Sequence, residues 1–204
     1  MIENIVWLGH SSVRIDGDTV IYIDPWKLTD PKKADLILIS HSHYDHLSVE
    51  DVEKIQKENT VIITTQDSAV GLSGDVRIVK PGDTVQAGEI SVEAVPSYNT
   101  NKDFHPRENG WLGFVVTVEG TRIYYCGDTD LIPEMETIRA DIMLVPVGGT
   151  YTMTAEEAAR AVNIVCPGTA IPIHYDDIVG SVEDAERFRD LCEVPVEIKN
   201  PESP

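Results

Sequence analysis

The sequence is poor in cysteine and in basic residues, and both shortages restrict what the protein can do. Its three cysteines, Cys126, Cys166 and Cys192, are odd in number and widely spaced, so neither a disulfide framework nor a Cys-x-x-Cys metal site is expected. Only 16 Lys and Arg stand against 35 Asp and Glu, which gives a formal net charge of -19. Because nucleic-acid binding depends on basic residues that neutralise phosphates, this charge argues against a nucleic acid or an anionic membrane as partner.

Long apolar runs and targeting signals are also missing. No apolar run approaches the roughly 20 residues that a membrane helix needs, and the start, Met1-Ile-Glu-Asn, lacks the basic segment of a signal peptide. Hydrophobic residues still make up 42% of the 204 residues, enough for a buried core. We therefore expect a cytoplasmic protein with reduced cysteines, one domain over residues 1–199 and a flexible tail over residues 200–204. The sequence leaves open whether the chain forms a homo-oligomer.

The order of apolar segments and turn signals is typical of a layered α/β protein. Short β-branched segments predict strands in the first 30 residues and at 34–40, 60–65, 90–95, 113–118, 121–126, 141–147 and 169–173. A short helix is predicted at 133–139 and a last strand at 194–199. Capping residues at 48, 154 and 181 predict helices that run to about 57, 165 and 192. Two halves with strands first and helices later indicate mixed sheets with helices outside.

The most informative feature is a cluster of histidines directly after the buried strand 34–40. Three of the six histidines lie in the segment His41-Ser-His-Tyr-Asp-His46. His41 and His43 are two residues apart and would point to the same side of an extended segment, while Asp45 and His46 follow a turn. Imidazole and carboxylate groups are ligands for Zn, Mn and Fe, and several polar rings buried without a metal would be costly. The cluster therefore predicts a metal site.

Two distal residues fit the same site. Asp128 follows the strand 121–126, and His174 follows the strand 169–173 directly. Alone, Asp128 could cap a turn and His174 could bond a backbone carbonyl. Because α/β folds gather their functional residues at strand ends, we expect both to converge on the histidine cluster.

These motifs resemble the metallo-β-lactamase superfamily over essentially the whole chain. His41 to His46 matches the HxHxDH motif, and Asp24, Asp128 and His174 follow the family order. The opening Trp7-Leu-Gly-His-Ser-Ser resembles the branch that includes ascorbate-6-phosphate lactonase and N-acyl phosphatidylethanolamine phospholipase D. The resemblance implies a four-layer αββα sandwich with a dinuclear metal site at one edge. It also implies two divalent ions, zinc first and Mn or Fe as alternatives.

The resemblance distributes the ligands over two metal positions. One metal would be held by His41, His43 and a third His, the other by Asp45, His46 and His174, with Asp128 as the bridge. Asp45 would also be catalytic, because it would orient a metal-bound hydroxide. Asp24 would order the motif loop from behind the ligands. His10 is not a ligand in the family, so it would contact a ligand or the substrate, or simply fix the first hairpin.

The third histidine departs from the family pattern. At the position where the family has a ligand, this sequence has Asn99, and His105 lies six residues later in the polar stretch 97–110. We expect that this stretch folds back and that His105 replaces the missing ligand. The alternative is that Asn99 or water takes the place.

The same polar stretch suggests a substrate. Lys102 and Arg107 lie among aromatic residues there and could form a lid whose cations meet an anionic group, and 148–151 could line the rim. The leading hypothesis is a hydrolase that cleaves an ester, lactone or phosphodiester bond in a small anionic molecule. The alternatives are an iron-dependent oxidoreductase resembling persulfide dioxygenases and a non-catalytic metal-binding protein. No Gly-x-Ser-x-Gly or catalytic-Cys signature competes.

Overall fold

The computed structural model describes residues 1–202 and contains two six-stranded mixed sheets. In the first sheet the strands lie in chain order, antiparallel from β1 to β3 and parallel from β3 to β6. Its strands are β1 (Ile5–Gly9), β2 (Ser12–Ile15), β3 (Ile21–Ile23), β4 (Leu36–Leu38), β5 (Val61–Thr64) and β6 (Asp75–Ile78).

The second sheet has the order β12-β11-β10-β9-β8-β7, antiparallel from β7 to β10 and parallel from β10 to β12. Its strands are β7 (Thr84–Ala87), β8 (Ile90–Pro96), β9 (Leu112–Val118), β10 (Thr121–Tyr125), β11 (Ile142–Pro146) and β12 (Thr169–Ile173). Strands β4 and β11 are buried at every residue, as expected for parallel strands that are covered on both faces.

Three α-helices flank the sheets: α1 (Val49–Ile55), α2 (Ala155–Val165) and α3 (Val182–Leu191). Helix α1 packs on one face of the first sheet, because Val52 and Ile55 cluster with alternate strand residues such as Tyr22 and Ile37. The other face of that sheet joins the main core together with the second sheet, α2 and α3. The layers confirm the predicted αββα sandwich.

Helix starts follow the predicted caps. The Ser48 hydroxyl accepts a hydrogen bond from the Asp51 N–H, and Thr154 with Glu157 forms a reciprocal capping box. Ser181 with Asp184 forms another at α3.

Two predicted elements differ. The segment Pro133–Thr137 is a short 3-10 helix, and the predicted strand 194–199 makes a single bridge between Ala170 and Val196. Pro195 lacks the N–H that a longer ladder would need.

The predicted flexible tail is bound at its start. The Arg14 guanidinium donates to both oxygens of Glu202 at 2.8 Å, and the Glu202 N–H donates to the Trp7 carbonyl at 2.8 Å. Arg14 is almost fully buried, so its charge needs carboxylate partners. Glu202 of the predicted tail therefore contacts the first sheet, while residues 203–204 lie outside the described part. Within residues 1–202, no helix has both the length and the apolar character required to cross a membrane.

Candidate metal centre

All six histidines of the chain lie at one edge of the sandwich, where strands from both sheets end. The segment from His41 to His46 follows β4, and His174 follows β12. His10 lies in the turn between β1 and β2, and His105 lies in the connection between β8 and β9. Since the carboxyl ends of parallel strands meet at the same edge, this placement is typical of sites in α/β folds.

In each of three groups, the possible ligand atoms lie within 4.8 Å of one another, and one group, Asp24 with His41 and His46, draws on residues of the other two. The three-histidine group consists of His41, His43 and His105. The mixed group consists of Asp45, His46 and His174, with His10 beside them.

Asp128 contacts both groups. Its Oδ2 lies 3.2 Å from His105 Nε2 and 3.0 Å from His174 Nε2, and its Oδ1 lies 3.3 Å from His46 Nε2. The structure therefore brings together the six residues that the resemblance implied as ligands and His105, the expected substitute for the third histidine.

The residues present fit a metal centre. The Nε2 atoms of His46, His105 and His174 and the Oδ1 atom of Asp128 are buried without a hydrogen-bond partner in the described structure. Buried polar atoms are normally hydrogen-bonded, because an unpaired one costs free energy. A set of imidazole nitrogens and carboxylate oxygens is the donor set that Zn, Mn and Fe accept.

Residues behind the ligands fix which ring nitrogen faces the site. The Asp24 carboxylate accepts a hydrogen bond from His46 Nδ1 at 2.7 Å, and Ser40 Oγ lies 2.9 Å from His41 Nδ1. Because the Ser40 hydroxyl donates to Asp24, its oxygen is left to accept the His41 Nδ1 proton. Such bonds orient the rings and leave Nε2 as the ligand atom.

Asp24 joins both sheets to the histidine segment. It is fully buried, and it accepts from the Ser40 N–H at 2.7 Å and from the Tyr125 hydroxyl at 2.6 Å. Tyr125 belongs to β10 of the second sheet. This position agrees with the expectation that Asp24 orders the motif loop from behind.

His105 and Asn99 form one unit rather than two alternatives. The Asn99 Oδ1 accepts from the His105 backbone N–H at 2.9 Å and from His105 Nδ1 at 3.0 Å. The Asn99 amide nitrogen donates to the Tyr151 carbonyl at 3.0 Å. The structure thus places His105 Nε2 at the site and Asn99 behind it.

His10 is buried, and its Nε2 lies 3.1 Å from Asp45 Oδ2, so the neutral ring donates to the carboxylate. The His10 carbonyl also accepts from the His174 N–H at 2.8 Å. His10, Asp24 and His174 have φ values of 49°, 48° and 59°. Strained non-glycine residues of this kind cluster at functional sites.

The two groups differ in electrostatics. Burial lowers the pKa of His41 and of His43, so both rings are neutral. Burial also acts to lower the pKa of His46, but the carboxylates of Asp128 and Asp24 raise it well above its usual range. Burial opposes ionisation of Asp128, yet His174 and His46 hold the pKa of this carboxyl well below normal.

A family model described as a beta-lactamase superfamily domain matches residues 4–174. The chain belongs to the metallo-β-lactamase superfamily. A UPF0173 metal-dependent hydrolase from Archaeoglobus fulgidus is 34% identical over 206 residues, which cover 91% of this chain and 88% of the relative. Another from Thermoplasma acidophilum is also 34% identical, over 92% of this chain and 90% of that protein. The chain is a metal-dependent hydrolase of this superfamily.

Solved structures agree with this assignment. A proposed metal-dependent hydrolase from Parabacteroides distasonis is 34% identical and has a TM-score of 0.86, over 96% of this chain and 91% of that chain. Igni18, a metallo hydrolase from Ignicoccus hospitalis, has a TM-score of 0.81 at 23% identity, over 98% of this chain and 95% of that chain. At that identity the second likeness shows the fold alone.

Beside the candidate metal centre of this superfamily member lies a cavity of about 230 Å³. Four of its lining residues belong to the ligand groups or bridge them, and the other four are apolar or aromatic. The lining residues are His43, Asp45, His105, Asp128, Tyr44, Phe104, Tyr151 and Ile178. The expectation that residues 148–151 contribute to the rim holds at Tyr151.

Lys102 and Arg107 do not line this cavity, contrary to the expectation of a cationic lid. Lys102 Nζ lies 2.5 Å from Asp130 Oδ1, and Arg107 donates to Glu134 at 2.8 Å and lies over the Tyr98 ring. Asp130 also accepts the backbone N–H of Thr100, so it anchors the stretch. Both cations are neutralised by carboxylates that lie far along the chain.

Sequence reasoning missed three supporting residues. Ser40 and Tyr125 bond Asp24, and the Trp111 ring lies 4.8 Å from the rings of both His41 and His43. The sequence contains one indication for Ser40, which directly precedes the His41-to-His46 motif. Nothing in the sequence distinguishes Tyr125 or Trp111 from other buried aromatic residues.

Proposed function

We propose that this hydrolase cleaves an ester, lactone or phosphodiester bond of a small molecule at a centre of two divalent ions, with zinc as the first candidate. The observation that carries the proposal is the position of Asp128. Its two oxygens lie within 3.3 Å of histidines from both ligand groups. A carboxylate between two sets of imidazoles suits two neighbouring cations, whereas a single ion would leave one set unused.

The predicted ligands would divide between the two ions. His41, His43 and His105 would hold one ion, and Asp45, His46 and His174 would hold the other, with Asp128 between them. When bound by these residues, two divalent ions would supply Lewis-acid activation of water and of the bond that is cleaved.

Asp45 would orient the attacking water and hold its proton. It lines the cavity, and its carboxylate accepts a hydrogen bond from His10. Burial acts to raise the pKa of Asp45, but the bond from His10 and the nearby His46 lower it on balance, so the carboxylate is ionised. Behind the ligands, Asp24 and Asn99 keep the rings in the orientation that presents Nε2.

The test combines metal quantification with an activity screen. Protein purified anaerobically is analysed by mass spectrometry for metals and then assayed on panels of esters, lactones and phosphodiesters. We expect two divalent ions per chain and hydrolysis that is lost in His46→Ala. Val70→Ala, an exposed residue, is the control and should behave like wild type.

Three outcomes would contradict the proposal. Equal hydrolysis by wild type and His46→Ala would exclude this centre as the site of reaction. Bound iron with oxygen-dependent turnover and no hydrolysis would favour the oxidoreductase. Bound metal with no activity on any panel would favour a binding protein.

A further inference from the structure

One wall of the cavity beside the candidate metal centre, the aromatic wall, is formed by Tyr44, Phe104 and Tyr151, none of which is a predicted metal ligand. Tyr44 is 68% exposed and Phe104 is 48% exposed, although large aromatic rings are usually covered. Each lies next to a predicted ligand in the chain, Tyr44 between His43 and Asp45 and Phe104 directly before His105. The exposed surfaces of the Tyr44 and Phe104 rings therefore lie at the mouth of the site.

Both rings are held in place by packing. The Phe104 ring meets Tyr151 edge to face, with centroids 4.7 Å apart and planes at 89°. The Tyr151 carbonyl in turn accepts a hydrogen bond from Asn99, the residue behind His105. On the other side, the Tyr44 and Trp26 rings meet edge to face, with their centroids 6.0 Å apart. The aromatic wall is thus attached to the residues that support the metal ligands.

The described residues offer no free cation at this mouth. No Lys or Arg lines the cavity, and the nearby cations are already paired. Lys102 pairs with Asp130 and Arg107 with Glu134. Lys27 pairs with Asp177 at 2.8 Å and lies 4.0 Å over the Trp26 ring. No lysine or arginine of the described residues would therefore pair with an anionic group placed against these rings, and the proposed metal ions would be engaged by the bond that is cleaved.

We infer that this cavity binds an uncharged apolar group of the substrate, attached next to the bond that is cleaved and packed against Phe104, Tyr151 and Tyr44. Aromatic side chains bind such groups through buried apolar area and edge contacts. The inference replaces the anionic substrate expected from the sequence. It rests on the proposed function for the reaction, but the binding of the group is measured independently of any reaction.

The kinetic test uses two aryl esters of similar size and opposite character, p-tolyl acetate and p-carboxyphenyl acetate. The carboxyphenolate is the better leaving group, so intrinsic reactivity favours the charged ester. We expect the metal-loaded wild type to prefer p-tolyl acetate by about tenfold in kcat/KM, the size of effect that one lost apolar contact produces. Phe104→Ala should lose this preference, and Phe104→Lys should reverse it. Val70→Ala, another exposed apolar residue, should retain it.

The binding test uses the corresponding phenols, p-cresol and p-hydroxybenzoate, in saturation-transfer NMR with the metal-loaded protein. We expect a signal from p-cresol that Phe104→Ala abolishes and Val70→Ala keeps. Equal or stronger binding of p-hydroxybenzoate, or p-cresol binding unchanged in Phe104→Ala, would overturn the inference. Binding as expected without cleavage of either ester would support the pocket and count against ester hydrolysis, which separates the two failures.

Discussion

The two ligand groups are built in different ways, although they share Asp128 and lie side by side. The three-histidine group comes from one turn and one loop, and its outer partners are neutral, the Ser40 hydroxyl and the Asn99 amide. The mixed group draws on strand ends of both sheets, and its outer partner Asp24 is a fully buried carboxylate. Burial therefore keeps His41 and His43 neutral by lowering their pKa, whereas the carboxylates of Asp128 and Asp24 raise the pKa of His46.

The largest expected effect comes from the residue that the two groups share. Asp128→Asn removes the negative charge that faces His46, His105 and His174. We expect the metal content to fall below one ion per chain and hydrolysis to be lost, as measured by metal analysis and the activity screen. Asp75→Asn, an exposed carboxylate on the edge strand β6, should keep both. Two ions retained in Asp128→Asn would show that the groups bind independently.

Within the three-histidine group, removing the proposed ligand His105 should reduce metal binding more than removing Asn99, which hydrogen-bonds His105. His105→Ala should lose one of the two ions altogether. Asn99→Ala should keep both but weaken the affinity of one by about 10–100-fold, the usual cost of an outer partner. Competition with a chromogenic chelator measures both constants. If Asn99→Ala lost the ion and His105→Ala kept it, Asn99 would be the ligand.

Acidification should empty the mixed group first. The pKa of His46 is raised, so His46 takes up a proton that competes with the metal as the pH falls through this elevated value. The pKa values of His41 and His43 are lowered, so these rings stay neutral to a lower pH. Dialysis from about pH 8 to about pH 6 should therefore reduce the metal content from two ions to one.

His105→Ala identifies the ion that acid removes. In this variant the single remaining ion sits in the mixed group, so the same dialysis should remove it completely. Retention of that ion at the lower pH would contradict the difference in protonation between the two groups.

The smallest expected effect concerns the link from the second sheet to Asp24. Tyr125→Phe removes the hydroxyl that donates to Asp24 at 2.6 Å. A hydrogen bond to a charged group contributes about 1.5–3 kcal/mol, so the free energy of unfolding should fall by that amount in urea titrations. The neighbour Tyr124 is equally buried, but within residues 1–202 its hydroxyl has only the weakly hydrogen-bonding Cys126 thiol beside it. Tyr124→Phe should therefore leave the free energy of unfolding unchanged or raise it. An equal loss of this free energy in both variants would show that the hydrogen bond from Tyr125 to Asp24 is not what stabilises the fold.

Local patterns predicted most of the fold and the ligand segment. The capping box at Thr154 and Glu157 marks the start of α2, and it depends on residues three positions apart. The apolar run before His41 forms a strand that is covered on both faces, as its lack of alternation indicated. The position of His105 beside His41 and His43 was also expected, because the sequence contains a spare histidine in a loop that is long enough to return.

Predictions failed where a side chain depends on a distant partner. Lys102 and Arg107 were expected at the cavity, but Asp130 and Glu134, 28 and 27 residues away, hold them elsewhere. The hydrogen bond from Arg14 to Glu202 spans 188 residues. A single sequence shows which residues can form ion pairs, but not which carboxylate lies within reach of which cation.

The strand and helix pattern, the excess of acidic residues and the set of possible metal ligands follow from the amino-acid sequence, because they depend on composition and on spacing along a few turns of chain. The contacts of Asn99 with His105 and of Tyr125 and Ser40 with Asp24, and an aromatic rather than a cationic cavity wall, follow from the folded structure. These contacts join residues from separate strands and loops, and their distances exist only once the two sheets have packed together.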